Sequence, residues 1–106
     1  MDATKKKRLE RAGWAVGSAA EFLELSAEEA ALVEMRLALS ASVRERRQRA
    51  RLTQTALAER LGSSQSRVAK MEAADASVSL DLLVRALLSL GATRKDVASA
   101  LSRRVA

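Results

Sequence analysis

The chain has 106 residues, no cysteine, no histidine and no proline, and a formal charge of +6 from nineteen basic and thirteen acidic side chains. That length suits one domain with a modest core, and a composition rich in Ala, Leu, Glu and Arg without proline favours helix almost throughout, so an all-α fold is expected. Lacking thiols and imidazoles, the chain offers neither group as nucleophile or base and no ordinary zinc or haem site; its carboxylates are scattered, so no enzyme activity, cofactor or metal is expected.

The N-terminal 25 residues begin with the run Lys5, Lys6, Lys7 and Arg8, followed by Glu10, Arg11 and Glu21 without a long apolar stretch. Neither a signal peptide nor a membrane span is expected, and a cytoplasmic location follows as the expectation. The run itself reads as a solvated tail or as an arm lying near DNA. Ser18 with Glu21, and Ser26 with Glu29, fit the capping box, in which serine accepts from the N3 amide and glutamate reaches back; helices are therefore expected near 19 and 27. Apolar Leu32, Met35, Leu39 and Val43 continue the second pattern, with or without a break, to about residue 50.

Thr53 is the expected N-cap for a short helix over 54–61, with Leu57 and Leu61 inward and Gly62 as its stop. Ser64 caps a helix over 65–72, with Val68 and Met71 inward. Ser79 opens a pattern of Leu80, Leu83, Val84, Leu87 and Leu88 that Gly91 can end in a left-handed conformation. Thr93 and Asp96 start a final helix carrying Val97, Leu101 and Val105. The expected division is a tail and short helix over 1–25, a possible partner-binding segment, and a main domain over 26–106.

Charge is unevenly placed along this plan. Residues 43–72 hold eight basic side chains, Arg44, Arg46, Arg47, Arg49, Arg51, Arg60, Arg67 and Lys70, against three acidic ones, a local +5 suited to phosphates. A basic helix face is by itself no more than solvent cover. The spacing adds more: two short helices separated by three residues, with Gly62 in the turn and small Ala58 at the expected crossing, make a helix-turn-helix. With Val68 and Met71 inward, the 100° step turns Ser66, Ala69 and Lys70 outward, flanked by Gln65 and Arg67.

Thr53, Gln54, Leu57, Ala58, Gly62, Gln65 and Glu72 stand in the order and register of the Xre/Cro-type helix-turn-helix regulators, which include lambdoid phage repressors. This resemblance covers about residues 43–90. It implies a lambda-repressor-like bundle of about five helices with an N-terminal helical extension. The second motif helix would lie in the major groove, with Gln65, Ser66 and Lys70 at base-reading positions. Gln65 would contact adenine and Lys70 the guanine acceptors. Ser64, primarily a cap, and Arg67 would reach backbone or bases, Gln54 would clamp a phosphate at a helix N-terminus, and Arg44, Arg46 and Arg51 would make less specific backbone contacts. Arg47 and Glu72 occupy the positions of a structural ion pair.

The segment carrying Gly13, Trp14, Gly17, Glu21, Phe22, Leu23, Leu25, Ser26, Glu34, Met35 and Arg36 resembles, more loosely, the N-terminal part of regulators that include HigA-like antitoxins. Trp14 and Phe22, the lone residues of their kinds, either staple this segment to the core or anchor a partner, a toxin protein on this resemblance. The expected partners are double-stranded DNA with a palindromic operator, read by a homodimer at half-sites about 34 Å apart. The final helix and the apolar face of the 27–50 helix are candidate dimer surfaces. The expected function is a repressor that is antitoxin and autorepressor of a toxin–antitoxin pair; the alternatives are a stand-alone phage, plasmid or restriction-modification controller, or an interaction adaptor that reads no DNA. Two positions depart from the family. Ala73 and Ala74 replace a usual Asn-Gly after the second motif helix, so the loop turns differently or strains an alanine, and Arg51 stands where glycine commonly ends the preceding helix.

Overall fold

The computed structural model describes residues 26–103. The calls on Lys5 to Arg8, Trp14, the Ser18 capping box with its helix, Phe22 and Val105 fall outside that range. Within it, five helices follow one another, α1 (Ala27–Arg49), α2 (Gln54–Leu61), α3 (Gln65–Glu72), α4 (Leu80–Ser89) and α5 (Arg94–Ser102), with no strand among the described residues. The long pattern from residue 27 is one unbroken helix.

Packing divides the chain into compact units at Met35 and Arg36, inside α1. Before the division, the expected capping box is formed: the Ser26 amide donates to Glu29 Oε1 at 3.2 Å, and the Glu29 amide to Ser26 Oγ at 3.1 Å. Leu32, expected on the apolar stripe, is 44% exposed.

The second unit, Arg36–Val105, holds the core. Leu39 and Val43 come from α1, Leu57 and Ala58 from α2, Val68 and Met71 from α3, Leu83, Ala86 and Leu87 from α4, and Ala100 from α5, all buried in one cluster that Val78 joins. Each large side chain so buried contributes about 1.5–3 kcal/mol by leaving water. Ala58 is buried and α2 packs chiefly on α3, consistent with a close crossing at the small residue. Polar ties reinforce this unit. Arg36 donates to the Val78 carbonyl ahead of α4, Arg46 pairs with Asp96 at 3.3 Å, and Arg103 meets Glu45 through two 3.1 Å hydrogen bonds.

Four of the helices end in the same way. The residue at C′ is left-handed, its amide bonds to the C2 carbonyl, and the next amide bonds to the C3 carbonyl, which is the Schellman arrangement. The left-handed residues are Arg51 (φ 58°) after α1, Gly62 (φ 64°) after α2, Ala74 (φ 56°) after α3 and Gly91 (φ 92°) after α4. The paired bonds run from Arg51 and Leu52 to the Gln48 and Arg47 carbonyls, from Gly62 and Ser63 to Glu59 and Ala58, from Ala74 and Asp75 to Met71 and Lys70, and from Gly91 and Ala92 to Leu88 and Leu87. Glycine serves two of these ends at no steric cost; arginine and alanine hold the other two in strain.

Candidate nucleic-acid interface

The serine and threonine caps set the frame. Thr53 Oγ1 accepts from the Ala56 amide at 3.0 Å and starts α2; Ser64 Oγ accepts from the Arg67 amide at 3.2 Å and starts α3. Between them Gly62 reverses the chain, so the two helices are joined by Gly62, Ser63 and Ser64 alone. Because Val68 and Met71 fill the inward side of α3, its outward side is forced on the remainder: Gln65, Ser66, Arg67 and Lys70 are all exposed.

Three helices meet at the α3 carboxyl end. Arg47 Nε donates to Glu72 Oε2 at 2.5 Å and Arg47 Nη2 to Glu72 Oε1 at 3.0 Å, a two-pronged pair whose side chains are 13% and 4% exposed. The hydrogen bond to Glu72 raises the Arg47 pKa above its ordinary value, against the opposing effect of burial. Arg47 Nη1 also donates to the Leu52 carbonyl at 2.8 Å, tying the exit of α1. Gln54 adds a fourth link, its Nε2 donating to Glu72 Oε1 at 3.2 Å, and its own Oε1 accepts from Gln65 Nε2 at 2.7 Å. The side chains at the starts of α2 and α3 are thus joined directly.

Electrostatics single out these two helices. α1 begins with Glu28 and Glu29, α4 with Asp81 and α5 with Asp96, whereas the first turns of α2 and α3 hold no acidic residue. Their N-terminal amides and positive dipole ends remain uncompensated by charge, which favours an approaching anion. Arg67 lines an open groove of about 570 Å³ shared with α4 and its N-cap Ser79, where Arg85 is accompanied by the acidic Asp81 and by Leu82, Val84 and Leu88. A model of the helix-turn-helix domain family matches residues 38–102, more than half of the chain. The chain belongs to the helix-turn-helix domain family. No curated protein and no solved structure matches it.

Membership supports DNA binding. The helix-turn-helix match starts at Ala38 and so takes in the C-terminal part of α1 and every later helix. No described helix is long and apolar enough to cross a membrane. Of the residues singled out in the sequence, Gln54, Ser64, Gln65, Ser66, Arg67 and Lys70 lie on the two motif helices or at their caps, and Arg47 and Glu72 form the expected pair. Arg44 lies beside the exit of α3, in a groove with Glu72, Ala73 and Ala74. Arg51 is exposed at the end of α1, whereas Arg46 turns toward α5 through Asp96. The links from Glu72 to Gln54 and from Gln54 to Gln65 are absent from the reading of the sequence. A glutamine at the start of each motif helix was the available signal, and only the helix crossing turns it into a contact.

Proposed function

We propose that the protein is a sequence-specific transcriptional repressor, acting as a homodimer on a palindromic operator. The observation that carries this reading is the outward set on α3, Gln65, Ser66 and Arg67 in a first turn without acidic residues and Lys70 in the last turn of the same exposed side. In the reading, α3 enters the major groove, Gln65 and Lys70 meet base edges, Ser66 packs close to them, and Arg67 reaches base or phosphate. Gln54 and the Ser64 end of α3 hold the adjacent phosphates, with Arg44 and Arg51 as flanking cations. Arg46 takes part only by exchanging its bond to Asp96.

Binding to the DNA upstream of the protein's own gene, followed against salt, tests the proposal. Affinity should fall steeply with salt, as phosphate neutralisation requires. Gln65→Ala and Lys70→Ala should each reduce the preference for the operator over unrelated DNA by roughly 5- to 150-fold, corresponding to about 1–3 kcal/mol per base contact. Unchanged preference in both variants, with the fold intact, sinks the recognition-helix assignment.

The antitoxin role is the finer part of the proposal, and the likeness of the segment around Trp14 and Phe22 to HigA-like antitoxins supports it. Co-expression with the neighbouring reading frame decides it. Neutralisation of a toxic neighbour, weakened by Trp14→Ala or Phe22→Ala, is the expected result; no interaction with any neighbour leaves a stand-alone controller.

A further inference from the structure

Hydrogen-bond chemistry gives the pair at Arg47 and Glu72 a second task. A carboxylate that takes two guanidinium N–H groups has only lone pairs left to offer. The side chain of Gln54 reaches the same oxygen, Glu72 Oε1, at 3.2 Å, so the end of the Gln54 amide turned toward Glu72 must be its NH2. Its carbonyl is thereby turned to Gln65, 2.7 Å away, and Gln65 must answer with an N–H. Each link leaves the next no choice of donor or acceptor.

We propose that Glu72 is a positioning residue that sets which way round Gln65 presents its amide to DNA, an inference that rests on the DNA-reading role above. With one N–H given to Gln54, Gln65 keeps its second N–H and its Oε1 for a base edge. That donor and acceptor match N7 and N6 of adenine. Were Gln54 turned over, Gln65 would accept through Oε1 and show an NH2 group outward, which suits the O6 and N7 acceptors of guanine instead. The preference for adenine over guanine is therefore held by a carboxylate at the far end of α3 that touches no base. Gln54 is only partly buried and Gln65 is exposed, so without Glu72 both amides are able to rotate.

Three variants, read on DNA and off it, test this. Glu72→Gln offers Gln54 either a donor or an acceptor and should reduce the adenine-over-guanine preference at one base of each half-site on the order of tenfold, with the salt dependence unchanged. In the DNA-free protein it should also shift the Gln65 side-chain amide resonances. Arg47→Lys loses the two-pronged geometry but leaves a carboxylate beside a cation, so it should weaken the fold while keeping the base preference. Should Glu72→Gln fail to fold, Gln54→Met, which spares the ion pair, is read in its place and should lose the same preference. A merely structural Glu72 would weaken binding to all sequences alike in Glu72→Gln and leave the Gln65 resonances in place; that result, or base preference retained in Gln54→Met, overturns the proposal. If the unsubstituted protein shows no base preference at all, the DNA-reading role falls first and takes this one with it.

Discussion

Ala74 sits at φ 56°, in the left-handed region that costs an L-residue roughly 1–2 kcal/mol. It stays there because the alternative is worse: the turn satisfies the Lys70 and Met71 carbonyls at the end of α3, and orphan carbonyls near the core are expensive. Ala74→Gly should therefore stabilise the fold by about 1 kcal/mol, less what glycine gives back in unfolded-chain freedom; a rise in the urea midpoint at unchanged slope is the measurement. Gly62 and Gly91 announce their turns in the sequence because glycine is the residue such turns favour. Arg51 and Ala74 announce nothing by themselves. In the sequence both are only departures from a family pattern. The Ala73-Ala74 exit leaves strain and a different turn open, and strain in an ordinary turn is the outcome there. Arg51, read as a departure from glycine and a phosphate contact, takes the same left-handed conformation. The contact of Gln54 with Glu72 was hidden for another reason: the two are eighteen residues apart, and only the crossing of α2 on α3 brings them together.

At the scale of the helix, starts were more legible than faces. Ser26, Thr53, Ser64, Ser79 and Thr93 each accept the N3 amide that their position implies, because a cap is a local contact that needs nothing from the rest of the chain. Faces depend on what covers them. Leu88 and Leu101 keep the apolar period of α4 and α5, yet they are 47% and 37% exposed. Capping also sets a pH dependence. The Thr93 amide donates to Asp96 Oδ2 at 2.8 Å and holds that carboxyl below its usual range, as Ser77 does for Asp75 and Arg103 for Glu45. A depressed folded-state pKa adds stability above the ordinary carboxylate value, about 3.9 for aspartate, and that share is lost as pH falls from there through the depressed value. Asp96→Asn should accordingly show a smaller loss of stability between about pH 5 and about pH 2 than the unsubstituted protein, in denaturant titrations across that range.

For the Arg36–Val105 unit as a whole, one cluster draws on all five helices, so its parts are expected to fail together. Leu57, fully buried at its centre, is the test. Leu57→Ala should cost about 2–5 kcal/mol, a large share of the 5–15 kcal/mol typical of a domain. Circular dichroism and amide exchange should report one transition for α2 and α5 alike; separate transitions would show independent parts. In the DNA-reading role proposed above, the same connectedness limits how specificity can be re-engineered. Gln65 is hydrogen-bonded to Gln54 across two helices, and so on that proposal the portable unit of recognition is larger than α3. A recognition helix transplanted alone from another regulator would arrive without the α2 side chain that steadies its first residue, and α3 moved alone into another host would leave Gln54 behind.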